Sequence, residues 1–179
     1  MLNPLRDVRI TARQIAAWQR IPNTSVGPSK PLMIYHQAFS GSASELSTLF
    51  TEAGAVVPQW IYGMYHTTHY HSTTHEVLGV ISGRAKLCFG GEMNPDRFEP
   101  TVEKGDLIIV PAGVGHRRLD EDWGNQEGTF LMVGGYPPGK TWDMCYGRPG
   151  EEAELKSIEA LPWFHRDPLY GKDGPALHV

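Results

Sequence analysis

The sequence predicts an all-β fold of the barrel or sandwich type, with short helical or irregular extensions at both ends. Between residues 56 and 136, short runs rich in Val, Ile, Leu and aromatic residues, such as HEVLGVISG and DLIIVPAG, alternate with Gly, Pro, Asn and Asp. These runs recur at intervals of roughly ten residues, as antiparallel strands do. Gly contributes 20 and Pro 14 of the 179 residues, so the chain is turn-rich without reaching the composition of a disordered protein.

The length of 179 residues indicates one domain, with its barrel core at residues 56–136. Residues 1–55 are expected to form an arm with two helices, in ARQIAAWQR and in ASELSTLFTEAG, the second of which Ser42 or Ser44 can cap and Gly54 can end. Residues 137–179 are expected to form an irregular C-terminal wrap with one short helix in EEAELKSIEA. This tail contains too many large apolar residues for a free linker, so we expect it to pack on the barrel.

The overall composition excludes several classes of protein. The formal net charge of −4 argues against nucleic-acid binding, which needs a basic surface. The absence of a run of about 18 apolar residues argues against a membrane span, and the N-terminal segment lacks the apolar core of a secretory signal, so we expect a cytoplasmic protein. Cys88 and Cys145 match no metal-binding spacing, and two free thiols are favoured over one disulfide.

Histidine is the most unevenly distributed residue type. Four of the eight histidines fall within ten residues, namely His66, His69, His71 and His75. His69 and His71 are two positions apart, so on a strand both point to the same side. A turn at Ser72–Thr74 would bring Glu76 back towards them, and two imidazoles with a carboxylate suit a divalent transition metal.

A fourth ligand has to come from further along the chain. His116 follows a predicted strand and the tight turn PAGVG, which would aim its side chain inward. His75 and His66 would face away from His69 and His71 on a regular strand, so we expect a surface or supporting role for both. A bend at Thr67–Thr68 would instead let His66 line the mouth of the pocket.

Three residues near these ligands are candidates for substrate binding. Arg118 shares the parity of His116 and would hold a carboxylate, unless it forms an internal ion pair. Tyr136, at the end of a predicted strand, is a possible phenol donor, although packing is the plainer interpretation. His66 is the third candidate, and no residue is assigned a catalytic role from the sequence.

Two motifs connect these residues to a known family. The pattern G-x5-H-x-H-x4-E-x6-G from Gly63 to Gly83 and the pattern G-x5-P-x-G-x2-H from Gly105 to His116 match the two motifs of the cupins. The sequence therefore resembles the cupin superfamily, with Asp120 where the family pattern has Asn. The run HTTHYHSTTHEVLGV and the later PAGVGH, GGYPPG and DPLYGKDGP resemble, more closely, the small single-domain YjlB-like cupins from about residue 56 to the C terminus.

This resemblance implies a jelly-roll β-barrel and a metal ion held by His69, His71, Glu76 and His116. Iron or manganese is favoured, with zinc, nickel or copper as alternatives. The likeness to the YjlB-like group implies no particular reaction. An enzyme that acts on a small oxygenated organic molecule is expected, and oxygenase-type chemistry is favoured by a narrow margin.

Two alternatives to an oxygenase stay open. The first is a non-redox isomerase, epimerase or decarboxylase, in which the metal acts as a Lewis acid and His66, Tyr136 or Asp120 would have to supply the general base. The second is a binding module that holds a small molecule without turnover. In each case the expected partner is a small molecule, with no nucleic acid and no membrane, and a homodimer is expected because exposed sheet edges need covering.

Overall fold

The computed structural model describes residues 1–27, 30–119 and 129–179, and nine strands within these residues form two antiparallel sheets. The larger sheet contains, in spatial order, β1 (Arg9–Arg13), β2 (Leu32–His36), β7 (Leu107–Val110), β4 (Glu76–Ser82), β9 (Leu131–Tyr136) and β3 (Val57–Tyr62). The smaller sheet contains β6 (Thr101–Glu103), β5 (Arg84–Phe89) and β8 (His116–Arg118). The prediction of an all-β fold is confirmed.

The first of two large apolar clusters lies between the sheets. Leu78 and Ile108 contribute to it from the larger sheet, and Leu87 and Val102 from the smaller one. All four side chains are almost completely buried. Burial of apolar surface of this kind is the main stabilising contribution to a sandwich or barrel, and it holds the two sheets in a fixed relation around the site described below.

The second apolar cluster covers the outer face of the larger sheet. Helix α1 (Ala43–Ala53) contributes Leu46 and Phe50, and the C-terminal tail contributes Phe164 and Leu169. Because both faces of the sheet are covered, its central strands are apolar at nearly every position rather than at alternate ones. The tail therefore packs on the sheet, as its apolar content predicts.

Helix α1 begins and ends where the sequence predicts. Ser42 accepts a hydrogen bond from the backbone N–H of Glu45, and the Glu45 side chain accepts one from the backbone N–H of Ser42, which together form a capping box. Gly54 ends the helix with a φ of 73°, a conformation that glycine adopts without penalty. The second helix, α2 (Leu155–Ala160), is short, and no helix of the described residues is long and apolar enough to cross a membrane.

The N-terminal arm differs from the expectation. Residues 12–20 do not form a helix, because Arg9–Arg13 is a strand that pairs with β2, and β2 in turn pairs with β7. Beyond that strand, the backbone N–H of Ile15 donates to Thr24 Oγ1 at 2.8 Å. These long-range pairings override the local apolar spacing, so the sheets begin at residue 9 rather than at residue 56.

The two cysteines are both buried and neither forms a disulfide, in agreement with the sequence. Cys88 lies in β5, away from the site described below. Cys145 lies close to that site, and its thiol donates to Asp143 Oδ2 at 3.4 Å.

Candidate metal centre

The two histidine motifs meet at an antiparallel bridge between His69 and His116. The backbone N–H of His69 donates to the carbonyl of His116 at 3.2 Å, and the N–H of His116 donates to the carbonyl of His69 at 2.8 Å. The bridge places the two ring centroids 4.2 Å apart. The ring of His71 lies on the same side, 5.4 Å from that of His116, so the i, i+2 spacing does bring both histidines of the first motif to the same point.

The three imidazoles together form a group that could hold a metal ion. One ring nitrogen from each of His69, His71 and His116 lies within 4.8 Å of the other two, and all three side chains are buried. A transition metal takes imidazole nitrogens at about 2.0–2.1 Å, so nitrogens this close together can share one ion after small side-chain movements. The donor set therefore fits a divalent transition metal.

Hydrogen bonds to backbone carbonyls set the tautomer of each imidazole. Nδ1 of His69 lies 2.9 Å from the carbonyl of Thr67, and Nδ1 of His116 lies 2.9 Å from that of Val114. Nδ1 of His71 is hydrogen-bonded to the carbonyl of Asp143. Because a carbonyl can only accept, each Nδ1 must carry a proton, so Nε2 is the ring atom that faces the candidate metal position.

Glu76, the first residue of β4, lies beside two of these rings. Its Oε1 is 3.4 Å from Nε2 of His71 and its Oε2 is 3.4 Å from Nε2 of His116. Although burial opposes ionisation, hydrogen bonds with His116 and His71 hold the pKa of Glu76 well below its usual range. The carboxylate is therefore ionised and acts as an anionic partner for the histidines.

The surroundings of the site lower the pKa of His69 but raise that of His71. Burial, and then the nearby His116, lower the pKa of His69 to about 3. Burial also disfavours the charged form of His71, but the hydrogen bond to Glu76 outweighs it and raises the pKa of His71. His69 is therefore neutral at physiological pH and can bind a metal without losing a proton. At His71, where Glu76 stabilises the protonated ring, a metal ion would have to displace a proton.

A tyrosine and a tryptophan fix the position of the carboxylate. The hydroxyl of Tyr136 donates to Glu76 Oε1 at 2.8 Å and accepts from Nε1 of Trp60 at 2.9 Å. The indole of Trp60 lies directly over Gly134, where an added Cβ would fall 2.0 Å from a ring carbon of Trp60. Glycine at this position of β9 therefore leaves the space that the indole needs to reach Tyr136.

Residues 141–145, here called the strap, hold the first motif from the outside. Thr141 accepts a hydrogen bond from Thr73, and Cys145 pairs with Tyr70 through two backbone hydrogen bonds. The carboxylate of Asp143 accepts from the backbone N–H of Ser72 at 2.7 Å and from the Ser72 hydroxyl. Although partial burial favours the neutral acid, these hydrogen bonds hold the pKa of Asp143 below its usual range. Asp143 therefore orients His71 with its backbone carbonyl and anchors the adjoining turn with its side chain.

A cavity of about 280 Å³ opens from the metal centre to the surface. Its buried end contains the three histidines and Glu76, and its outer part contains Tyr62, Tyr65 and Trp142, which are about half exposed. The remaining wall is mostly apolar and includes Met64, Leu78, Met132 and Met144. None of the described residues that line the cavity is Lys, Arg or Asp.

The structure places the other predicted residues as follows. Tyr136 lies in the cavity, but its hydroxyl is engaged with Glu76. His66 is exposed, lies in a bend beyond the end of β3, and is not among the described lining residues. Arg118 is half-buried, with its guanidinium 5.4 Å from the ring centroid of Phe130, and it does not line the cavity either.

His75 is a structural residue of the interior rather than a surface one. Its Nδ1 accepts from the backbone N–H of Ala112 at 2.9 Å, and its Nε2 lies 3.2 Å from the carbonyl of Pro162. Burial, and then the charge of Lys30, lower the pKa of His75 to about 4, so the ring is neutral. The prediction that it points away from the metal holds, because these partners are outside the cavity. Asp120, the other candidate base, lies outside the described residues.

Comparison with known proteins identifies the class to which this fold and site belong. The family described as Cupin domain matches residues 62–119, which contain both histidine motifs. The chain is 35% identical over 167 residues to the Bacillus subtilis (strain 168) protein described as uncharacterized protein YjlB, with 89% of this chain and 90% of YjlB covered. The chain therefore belongs to the cupin family, as its two motifs predict.

Solved structures with related folds are more distant. A mutant of oxalate decarboxylase from Bacillus subtilis is 18% identical, with a TM-score of 0.37 over 65% of this chain and 27% of that chain. Vicilin from hazelnut (Corylus avellana) is 16% identical, with a TM-score of 0.38 over 80% of this chain and 35% of that chain. The chain spans only about a third of these proteins, and likenesses at this level assign no activity to it.

Proposed function

We propose that this cupin is a metal-dependent enzyme in which His69, His71, His116 and Glu76 hold one divalent transition metal ion, with iron or manganese favoured. The observation that carries the proposal is the convergence of three buried imidazoles whose Nδ1 atoms are each bound to a carbonyl. Their Nε2 atoms face one point beside an ionised carboxylate. An iron or manganese ion at that point would supply a redox-active Lewis acid at the base of the cavity.

The residues around this point orient the imidazoles, hold the Glu76 carboxylate and form the wall of the cavity. The carbonyls of Thr67, Asp143 and Val114 keep each imidazole in one tautomer and one orientation. Tyr136 keeps its proton, because burial and then the charge of Glu76 raise the pKa of its hydroxyl, and it directs that proton at the carboxylate. The apolar wall offers few hydrogen-bonding partners to water in the cavity.

We propose oxygenase-type chemistry on a small organic molecule rather than isomerisation. Isomerases, epimerases and some decarboxylases need a general base within reach of the substrate. Among the described lining residues, the histidines face the metal point through Nε2, Glu76 is engaged by Tyr136 and two histidines, and Tyr136 itself is neutral. The lack of a free base among the described lining residues supports a reaction in which O2, rather than a side chain, is the reagent.

The test is to strip the purified protein of metal, to reload portions separately with Fe(II), Mn(II) and Zn(II), and to follow O2 uptake with small enols, catechols and thiols. The expected result is O2 consumption by the iron or manganese form with at least one of these classes, and none by the zinc form. Turnover of substrate by the zinc form without O2 would contradict the oxygenase and favour the isomerase or decarboxylase. Binding without turnover in every metal form would favour the binding module.

A further inference from the structure

We propose that the cavity selects a substrate with a single aromatic ring that carries at most one negative charge and presents its oxygen donors to the metal centre. This inference depends on the proposed metal site for the position of the donors. It goes further in naming the substrate class, and three features of the cavity support it independently of any reaction.

The first feature is a pair of aromatic walls at the cavity mouth. The rings of Tyr62 and Tyr65 lie 5.4 Å apart, and those of Tyr136 and Trp142 are stacked, 5.2 Å apart at an interplanar angle of 15°. Trp142 is 46% exposed and Tyr65 is 53% exposed. Large aromatic faces left open at the mouth of a pocket are surfaces on which a flat ring gains both buried area and stacking.

The second feature is the charge of the site. A divalent ion with neutral imidazoles and the single carboxylate of Glu76 has one net positive charge. No Lys or Arg is found among the described residues that line the cavity, so a second negative charge on the substrate would be buried without a partner. Burial of an unpaired charge is costly, and the cavity therefore discriminates against dianions such as oxalate.

The third feature is size. The cavity holds about 280 Å³, which is just below the range of roughly 300–1,000 Å³ for small-molecule pockets. An apolar cavity of about 150 Å³ accommodates benzene. One substituted ring therefore fits between the mouth and the metal centre.

Hydroxamates provide a test, because they bind metals through the same two oxygens whatever group they carry. The zinc-loaded protein, which is redox-silent, is titrated calorimetrically with acetohydroxamate, benzohydroxamate, cyclohexanecarbohydroxamate and oxalate. We expect benzohydroxamate to bind about tenfold more tightly than acetohydroxamate, and also more tightly than the cyclohexane compound and oxalate. Trp142→Ala should remove most of this advantage and leave acetohydroxamate binding within about twofold, whereas Trp142→Phe should retain it.

Equal affinity for benzohydroxamate and acetohydroxamate would overturn the inference, as would equal affinity for the phenyl and cyclohexyl compounds or a preference for oxalate. In each of these results the metal centre itself is intact, because acetohydroxamate still binds to the zinc form and not to the metal-free protein. Failure of all hydroxamates to bind to the zinc-treated protein would instead contradict the metal centre on which the inference depends.

Discussion

The hydroxyl of Tyr136 donates a 2.8 Å hydrogen bond to Oε1 of Glu76, the carboxylate that also lies 3.4 Å from the imidazoles of His71 and His116. The two residues come from neighbouring strands of the larger sheet. Tyr136 is also stacked on Trp142 at the cavity mouth. A single side chain thus connects the wall of the cavity with the acidic member of the metal centre.

Tyr136→Phe should weaken metal binding without changing the fold. The substitution removes the donor to Glu76 and leaves the indole N–H of Trp60 without its acceptor, while the ring that stacks on Trp142 is kept. Loss of such an outer partner typically costs about 10–100-fold in metal affinity or activity. Competition with a chromogenic chelator measures the affinity, and an affinity equal to that of the wild type would show that the hydrogen bond does not position the carboxylate.

Asp143→Ala should loosen the strap and, through it, His71. The carboxylate accepts hydrogen bonds from the backbone and the hydroxyl of Ser72, and removal of a charged acceptor from partly buried donors costs about 1–3 kcal/mol. We expect a lower Tm and weaker metal binding. Asp143→Asn, which retains one acceptor oxygen, is the matched control. Its Tm and its metal affinity should lie between those of the wild type and those of Asp143→Ala.

If the Asp143→Ala protein is less stable but binds metal as tightly as the wild type, the strap is only structural and does not orient His71. Both quantities can be measured on the same preparation, by thermal unfolding of the metal-free protein and by chelator competition. The comparison between stability and metal affinity therefore separates the two roles.

His75→Ala should lower the stability of the protein but not its metal content, whereas His69→Ala should remove the metal but not lower the stability of the metal-free protein. The two residues are only six positions apart. Removal of the His75 ring leaves the N–H of Ala112 and the carbonyl of Pro162 without their partner and creates a cavity, at a cost of about 2–4 kcal/mol. The protein should nevertheless bind one metal ion. His69→Ala should lose the ion and keep the Tm of the metal-free wild type.

Metal content by elemental analysis and thermal unfolding without metal, measured on both variants, test this pair of predictions. Loss of metal from His75→Ala, or full retention by His69→Ala, would contradict the division of the histidine cluster into ligands and structural residues. The wild type prepared in parallel is the reference for both measurements.

Removal of the metal should lower the stability of the protein but not unfold it. The two large apolar clusters do not depend on the ligands, since they consist of other residues. An ion that binds only the folded state at about 1,000 times its Kd stabilises it by about 4 kcal/mol. Circular dichroism should therefore show an unchanged β-sheet signal and a lower Tm after chelation, and a loss of the sheet signal would contradict a purely local role.

The convergence of the three histidines could be predicted from the spacing within each motif together with the resemblance to the cupins. His69 and His71 are two residues apart on an extended segment, and Glu76 follows after one turn. His116 was identified by its tight Gly/Pro turn and by the match to the second motif. The bridge between His69 and His116 is a long-range pairing, and the pair of motifs predicts it where local spacing alone does not.

Three supporting residues could not be predicted in the same way. Asp143 lies 72 positions from His71, and the indole of Trp60 is 76 positions from the hydroxyl that it contacts. Trp142 lines the cavity from the segment that follows β9, which has no strand or helix pattern of its own. The nearest sequence signals are the apolar content of the C-terminal wrap and Gly134 in GGYPPG, which leaves room for Trp60 on β9.

In the N-terminal arm, the local sequence pattern predicts a helix that the structure does not contain. The spacing of Ile15 and Trp18 favours a helix, but Ile15 is buried by contacts from distant strands and Trp18 pairs with Ile21 in a tight turn. Tertiary packing overrides helix propensity, which is worth well under about 1 kcal/mol per residue for ordinary residues.

Anomalous X-ray diffraction at the metal edge, on crystals of the protein purified without added metal and then loaded with its preferred ion, tests the central claim most directly. The account predicts one strong peak per chain, at about 2.0–2.2 Å from Nε2 of His69, His71 and His116, with Glu76 in contact with the ion. A peak elsewhere in the molecule, or an ion bound through Nδ1 of these histidines, would contradict it.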